Sequence, residues 1–270
     1  MNDTISSICC KNLTVGFDRQ PVACLSDFQL AQGEILVLAG PNGAGKSTAL
    51  KTLARQLSPL AGSIHIDTAD LTKLTSRQFA RRVAYVPQRL DLTQDLSVVE
   101  YVSLGRYSHQ SWWSWESNQG DRTAVEEALA VTGTLSVRSK PLGSLSGGER
   151  QRAMIATALA QKTQFLLADE PTAHLDFKHQ LELVSLLKDL KQKGLGILLV
   201  LHDLNLIARL ADRIILLQKN KDGPSTTAAS GTASEVLRPE TLSLVYEVEV
   251  AIHTDPASGL TIYTPTSCRL

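Results

Sequence analysis

The sequence predicts an α/β fold with a mostly parallel sheet, an antiparallel β subdomain and a helical insertion. Short, wholly apolar runs alternate with segments of helical periodicity, which is typical of a parallel sheet covered on both faces. No strand is evident between Leu90 and Leu145, so this region is interpreted as a helical insertion between two halves of the sheet. The apolar runs are Ile35–Ala39, Phe165–Ala168, Ile197–Leu201 and Ile214–Leu217.

Alternating apolar residues near the N-terminus predict the antiparallel part. Leu13, Val15 and Phe17 alternate along one stretch, and Phe28 and Leu30 alternate along the next. Each stretch is expected to form an antiparallel strand that buries one face.

Helix signals lie in the insertion and in the region after it. Ser97 and Glu100 form a capping box, which predicts a helix that ends near Gly105. Amphipathic periodicity predicts a second helix over residues 121–132 and a third over roughly residues 178–193.

The C-terminal part is predicted to contain a loop, a short helix and a hairpin. Residues 219–232 are rich in Lys, Gly, Ser, Thr and Ala, so they are interpreted as a loop. A short helix is expected over residues 238–247. Apolar alternation from Val248 to Ile252, with a return at residues 260–263, predicts the hairpin.

Composition narrows the classes of function. The 270 residues could form one large α/β domain or two small ones. The chain has 27 basic and 27 acidic residues, and this balance disfavours a nucleic-acid binder. The hydrophobic stretch at residues 195–201 is too short for a bilayer, which takes about 20 residues. Residues 1–5 lack the features of a signal peptide.

The cysteines predict a reducing compartment. They form no C-x-x-C pair, and no histidine lies at metal-ligand spacing from them. We expect reduced thiols in a cytosolic protein. The four residues are Cys9, Cys10, Cys24 and Cys268.

The most specific motif follows the first apolar run. It fits the phosphate-binding loop pattern G-x-x-x-x-G-K-[ST] with no substitution, and a segment of helical spacing follows it. Lys46 is expected to reach the β- and γ-phosphates of a nucleoside triphosphate, and the Ser47 hydroxyl to ligate Mg²⁺. A glycine-rich turn without a ligand is the alternative, but it leaves the complete match unexplained. The loop residues are Gly40, Pro41, Asn42, Gly43, Ala44, Gly45, Lys46, Ser47 and Thr48.

Two carboxylates follow the apolar run at residues 165–168. Charged groups at the exit of a buried strand are costly unless a cation lies nearby. Beside a phosphate loop, Asp169 is expected to hold Mg²⁺ through water, and Glu170 to polarise the attacking water. The alternative is an ordinary strand followed by an acidic turn.

A second anion site is predicted at Leu145–Glu149. Ser146 and Glu149 form a capping box, while Gly147 and Gly148 leave the backbone amides open to a phosphate. One phosphate loop already serves the ATP of this chain, so the second site is explained if it closes on the nucleotide of another copy. A well-capped helix without a ligand is the alternative.

Two further polar residues follow predicted strands. His202 comes directly after residues 197–201 and is expected to donate a hydrogen bond to the γ-phosphate. Gln88 follows a predicted strand that stops at Pro87, and it is expected to sense the γ-phosphate or Mg²⁺. Alone, His202 would be interpreted as a surface histidine or a satisfied core histidine, and Gln88 as an ordinary loop glutamine. Their positions at strand ends of the same sheet favour the functional interpretation.

These motifs occur in the order of an ATP-binding cassette (ABC) ATPase, which the chain resembles over nearly its whole length. The resemblance implies a single domain, residues 1–270. It comprises a RecA-like core with an antiparallel β part (1–88 and 146–218), a helical subdomain (89–145) and a C-terminal extension with a hairpin (219–270).

The resemblance also implies a head-to-tail homodimer that encloses two ATP molecules. Each nucleotide would contact Lys46 and Ser47 of one copy and Ser146, Gly147 and Gly148 of the other. The head-to-tail pair would therefore be the unit that hydrolyses ATP.

Roles for other residues follow from the same resemblance. Glu170 would be the catalytic base, His202 the γ-phosphate contact, and Asp176 part of the loop that crosses between the two sites. Phe17 matches the aromatic residue that stacks on adenine. Tyrosine is commoner there, but stacking needs only the ring.

Within this family, the chain looks like an importer subunit for iron–siderophore, haem or vitamin B12 uptake. The residues that carry this likeness are Leu104–Tyr107, His202–Asn205 and the tail from Glu235 to Val250. We expect a cytoplasmic ATPase that is peripheral on the cytoplasmic face of the inner or plasma membrane. It would drive a separate permease for ferric siderophores or related chelates, which receives its substrate from a binding protein.

Several alternatives stay open. Haem, vitamin B12 or a metal ion could be the imported substrate. DNA-repair and chromosome-maintenance ATPases share the Leu145–Glu149 sequence pattern. In those proteins a long coiled coil separates this pattern from the phosphate loop, and no heptad repeat lies between the two motifs here. Translation-associated ATPases usually carry two cassettes. The Trp112–Trp115 segment is interpreted either as core or as the surface that receives a membrane subunit.

Overall fold

The computed structural model describes most of the chain. The Trp112–Trp115 segment and His174 lie outside the described residues, so the alternatives for the tryptophans stay open. The described residues are 6–89, 95–109, 119–173, 175–257 and 259–268.

The described residues form one eleven-stranded mixed sheet, a separate two-stranded hairpin and helices on both faces of the large sheet. The strands are β1 (Ser7–Phe17), β2 (Gln20–Leu25), β3 (Phe28–Ala31), β4 (Ile35–Ala39), β5 (Ala61–Ile66), β6 (Ala69–Asp70), β7 (Val83–Val86), β8 (Phe165–Asp169), β9 (Gly196–Val200), β10 (Arg213–Asn220), β11 (Gly223–Gly231), β12 (Val248–Thr254) and β13 (Thr261–Cys268). The helices are α1 (Lys46–Leu53), α2 (Ser76–Ala80), α3 (Val98–Ser103), α4 (Gln119–Val131), α5 (Gly147–Ala160), α6 (Phe177–Gln192), α7 (Leu204–Leu210), α8 (Ala233–Val236) and α9 (Pro239–Tyr246).

Five strands form the parallel half of the large sheet, in the order β10-β4-β9-β8-β7. Side chains of β4 alternate between two cores: Ile35 and Val37 face one, and Leu36 and Leu38 face the other. Because both faces are covered, the strand is apolar throughout. The predicted sheet with two covered faces is confirmed.

The antiparallel part surrounds β1, which pairs with β2, β3 and β5. Leu13 and Val15 are fully buried, as predicted, but Phe17 is 47% exposed. The expectation that Phe17 continues the buried face is wrong. The β1–β2 register shifts here: Val15 pairs with Ala23 and Gly16 with Pro21, so Val22 is an extra residue in β2, and such a bulge disrupts the regular pairing near Phe17.

Strand β11 corrects the loop predicted at residues 219–232. It runs antiparallel to β10, and two of its residues pair in parallel with β2, so it joins the parallel and antiparallel halves of the sheet. Its residues are small or polar and carry no strand periodicity. Backbone pairing with two neighbours forms the strand. The C-terminal part outside the sheet therefore begins after Gly231.

The helical insertion follows its sequence signals. Ser97 caps α3 through a reciprocal capping box with Glu100, and α3 ends within two residues of the predicted Gly105. Helices α4 and α6 also begin and end near their predicted bounds. Arg106 and Asp121 form a buried ion pair at 2.7 Å, which ties the segment after α3 to α4.

The C-terminal helix and hairpin are confirmed as α9 and β12–β13. All four cysteines are free, and burial raises the pKa of the Cys10 thiol. Among the described residues, no helix combines the length and apolar character that crossing a membrane requires.

Candidate functional site

The loop between β4 and α1 is shaped by glycines. Gly40 has φ 141°, and a Cβ there would lie 2.5 Å from the Leu217 carbonyl oxygen. Gly45 has φ 86° and precedes α1 without a side-chain cap. The first N–H groups of α1 therefore have no capping side chain, and a helix N-terminus of this kind favours an anion.

Lys46 is a buried cation inside this loop. It is 5% exposed, and its Nζ donates to the carbonyl oxygens of Gly40 and Pro41 at 2.8 and 2.9 Å. Burial lowers the pKa of Lys46 to about 8, although the carboxylates of Glu170 and Asp169 act in the opposite direction. A phosphate group would supply the negative charge that this desolvated ammonium lacks.

Asp169 and Ser47 lie together, as predicted. Asp169 ends β8 and is 3% exposed, and the Ser47 hydroxyl donates to its Oδ1 at 3.0 Å. Burial raises the pKa of Asp169, and the bond from Ser47 lowers it in part. A hydroxyl and a carboxylate are oxygen donors of the kind that Mg²⁺ accepts beside substrate phosphates.

Glu170 is held by side chains from two neighbouring strand ends. Gln88 Nε2 donates to Glu170 Oε2 at 2.8 Å, and His202 Nε2 lies 2.6 Å from Glu170 Oε1. The Glu170 backbone has φ 48°, a left-handed conformation that is uncommon outside glycine, and its N–H donates to the Val200 carbonyl at 3.1 Å. The chain thus turns sharply at the end of β8 and directs the carboxylate between Gln88 and His202.

A cavity of about 320 Å³ lies over the loop and these side chains. Phe17, the last residue of β1, lies exposed on its wall, next to the bulge that Val22 forms in β2. An aromatic ring therefore faces the cavity and not the core. The lining residues are Phe17, Val22, Asn42, Gly43, Gly45, Lys46, Ser47, Thr48, Glu170 and His202.

The sequence did not predict two residues that lie beside the site, Val22 and Lys219. Val22 lies on β2, for which we predicted no strand, and it lines the cavity beside Phe17. The Lys219 ammonium lies 3.1 Å from the position that a Cβ on Gly43 would occupy. Lys219 fell in the segment interpreted as a loop. No pattern in the sequence around Lys219 indicated that it would lie beside the phosphate loop.

The predicted second anion site forms a separate cluster. Ser146 caps α5: its Oγ accepts from the Glu149 N–H at 3.2 Å, and its own N–H donates to Glu149 Oε2 at 2.8 Å. Within the described part of the chain, Ser146, Gly147 and Gly148 do not line the cavity.

His179 joins this cluster to Asp176. The His179 ring lies against Gly148, where an added Cβ would be 2.9 Å from its Cγ. Its Nδ1 is 2.8 Å from Asp176 Oδ1, which also accepts from the His179 N–H at 2.9 Å and caps α6. That backbone bond is the main cause that lowers the pKa of Asp176.

The fold and this site define a class: a nucleoside-triphosphate-binding α/β protein of the phosphate-loop type. The ABC transporter family model matches residues 25–173. The chain belongs to the ABC transporter family and is an ATP-binding ATPase of that family. The predicted family and fold are confirmed.

Similarity to curated proteins extends over almost the whole chain. The achromobactin transport ATP-binding protein CbrD of Dickeya dadantii is 40% identical over 93% of this chain and 92% of that protein. The iron(3+)-hydroxamate import ATP-binding protein FhuC of Bacillus subtilis is 39% identical, with 94% and 93% covered.

Solved structures share the architecture. A chain of an ABC transporter in an inward-facing conformation superposes with a TM-score of 0.83 at 26% identity, covering 97% of this chain and 98% of that one. The dimeric structure of MJ0796, a bacterial ABC transporter cassette, superposes with a TM-score of 0.71 at 28% identity, covering 84% and 98%.

Proposed function

We propose that this chain is the ATP-hydrolysing subunit that drives a separate membrane permease for the import of ferric siderophores or related metal chelates. Relatives named for achromobactin transport and iron(3+)-hydroxamate import support this substrate class, since they align over more than nine-tenths of the chain. The subunit would work at the cytoplasmic face of the membrane, because its ATP is cytoplasmic.

The arrangement around Glu170 carries the hydrolytic part of the proposal. Its carboxylate lines the cavity beside Lys46, and it is held between Gln88 and His202. A carboxylate oriented in this way can accept a proton from a water that attacks the γ-phosphate. His202 would contact the γ-phosphate, and Gln88 would sense the phosphate or its cation. Lys46 would neutralise charge on the β- and γ-phosphates.

Mg²⁺ fits the oxygen donors that Ser47 and Asp169 present. Ser47 would bind the ion directly, Asp169 would hold it through water, and Gln88 would approach it when ATP is bound. The ion would supply positive charge to the oxygens of the β- and γ-phosphates. Phe17, exposed on the cavity wall, would stack on adenine.

The Ser146 cluster supports a shared site. Its capped helix N-terminus can receive an anion, and within the described residues it is separate from the cavity of its own chain. In a head-to-tail homodimer, Ser146, Gly147 and Gly148 would close on the nucleotide of the partner subunit. Asp176, joined to this cluster by His179, would lie where the two sites meet. The likeness to a dimeric cassette supports such a pair.

Reconstitution tests the transport proposal. The chain, its co-purifying permease and the matching binding protein would be assembled in proteoliposomes with ATP inside and a labelled chelate outside. Uptake of a ferric siderophore is expected with the wild type and not with Glu170→Gln. Haem, cobalamin and free metal ions form parallel arms. Uptake of only one of these would reassign the substrate, and salt-sensitive binding to DNA or ribosomes without a membrane partner would refute the proposal.

A further inference from the structure

The C-terminal hairpin contacts the helix that follows His202. The side-chain amide of Asn205 accepts a hydrogen bond from the Tyr263 N–H at 2.9 Å. The same amide donates to the Tyr263 carbonyl at 3.3 Å. Asn205 therefore satisfies both backbone groups of one residue of β13, much as a neighbouring strand would.

The hairpin is itself anchored, so this contact has a fixed support. A two-stranded hairpin is marginally stable alone and needs packing against other elements. Tyr263 and Val250 are 7% and 8% exposed and belong to the main core, on the side of the large sheet that α7 and α9 cover. The backbone groups that Asn205 meets are thus held by a buried ring and by pairing with β12.

Helix α7 transmits the position of Asn205 to His202. The helix has only seven residues, and Asp203 Oδ1 caps it by accepting from the N–H groups of Asn205 and Leu206 at 2.7 and 3.2 Å. His202 directly precedes this cap and lies 2.6 Å from Glu170. Only Asp203 and Leu204 lie between His202 and Asn205 in the chain, and Asp203 is bonded to the Asn205 N–H, so a movement of the start of α7 moves His202.

We propose that Asn205 is a positioning residue for His202. By pairing with β13 it fixes the start of α7 and keeps the imidazole at Glu170. The hairpin thereby becomes part of the hydrolytic apparatus, although none of its described residues lines the nucleotide cavity. This inference rests on the role of His202 in the proposed function.

Steady-state ATPase kinetics of the full chain test it. Asn205→Ala is expected to lower kcat about tenfold and leave KM within about twofold, because small misplacements of a reacting group cost turnover more than binding. Thr266→Val is the matched control. It removes a side-chain-to-backbone bond (3.3 Å, to the Glu249 carbonyl) within the same hairpin but leaves the contact with α7. The control is expected to keep the wild-type kcat.

A double-mutant cycle with His202→Ala separates positioning from general destabilisation. In that background, Asn205→Ala should cause no further loss of kcat, because the group that it positions is gone. Equal fold losses in both backgrounds would overturn the proposal. A parallel fall in Tm and ATP affinity, or a normal kcat for Asn205→Ala, would do the same.

Two further measurements complete the test. If Asn205→Ala does not fold, Asn205→Asp replaces it: the carboxylate keeps the acceptor but cannot donate to the Tyr263 carbonyl. The same loss of kcat is then expected, and a normal kcat overturns the proposal. Wild-type turnover in His202→Ala alone would instead refute the role of His202 in the proposed function. The failure of the two proposals is therefore distinguishable.

Discussion

Replacing Gly148 by alanine tests how tightly α5 packs against His179. An added Cβ would lie 2.9 Å from the ring Cγ and 3.0 Å from Cδ2. The ring cannot yield freely, since its Nδ1 is 2.8 Å from Asp176 Oδ1. Overpacking of this kind costs about 1–3 kcal/mol. Alanine is about 1 kcal/mol better than glycine in a helix, so Gly148→Ala should lower the free energy of unfolding by about 0–2 kcal/mol.

The same change in a His179→Ala background should have the opposite sign. Without the ring, only the helix preference remains, and alanine should stabilise the protein by about 1 kcal/mol. The cycle therefore predicts a coupling free energy of about 1–3 kcal/mol between positions 148 and 179.

Urea unfolding of the four proteins without nucleotide measures this coupling. Omitting ATP keeps the proposed contact of Gly148 with the partner's nucleotide out of the comparison. If Gly148→Ala stabilises both backgrounds equally, the ring does not occupy the space over Gly148 and the reasoning is wrong.

Three further predictions concern the chemistry. Glu170→Gln should lower ATP turnover about 100- to 10,000-fold while leaving ATP binding and a trapped dimer detectable by gel filtration; near-normal turnover would remove Glu170 from the role of base. Ser146→Arg should block hydrolysis without weakening ATP binding to the monomer. The control Ser97→Arg removes an equivalent cap at α3 and should retain basal hydrolysis. Unchanged activity of Ser146→Arg would contradict the shared site. Because burial lowers the pKa of Lys46 to about 8 and a polyphosphate raises it again, ATP binding near pH 8.5 should take up protons. Calorimetry in buffers of different ionisation enthalpy measures this uptake, which should almost vanish near pH 7, where Lys46 is already protonated; equal uptake at both pH values would contradict the shift.

Much of the site was predictable because its parts are local in the chain and the topology joins them. The phosphate loop is one contiguous motif between a strand and a helix. Gln88, Glu170 and His202 each follow a parallel strand, and the carboxyl ends of parallel strands meet at one edge of the sheet. Strand periodicity together with polar residues at the ends was therefore enough to predict their proximity.

Other features depend on contacts between distant segments, and no local pattern records them. The exposed Phe17 lies beside a bulge at Val22, and that bulge arises from the pairing of β1 with β2. Strand β11 lacks apolar periodicity and exists because β10 and β2 supply partners for its backbone.

The sequence alone predicted the chemistry of this protein, because the phosphate loop, the two carboxylates and the capped N-terminus of α5 are short motifs whose residue types indicate what they bind. Only the tertiary structure decided how that chemistry is supported. Lys219 meets Gly43, and Asn205 meets Tyr263, because folding brings together segments far apart in the chain. The physical reason is that a motif constrains only its own stretch of backbone. Which distant residues contact it depends on side-chain packing and on how backbone N–H and C=O groups find hydrogen-bond partners in the folded chain.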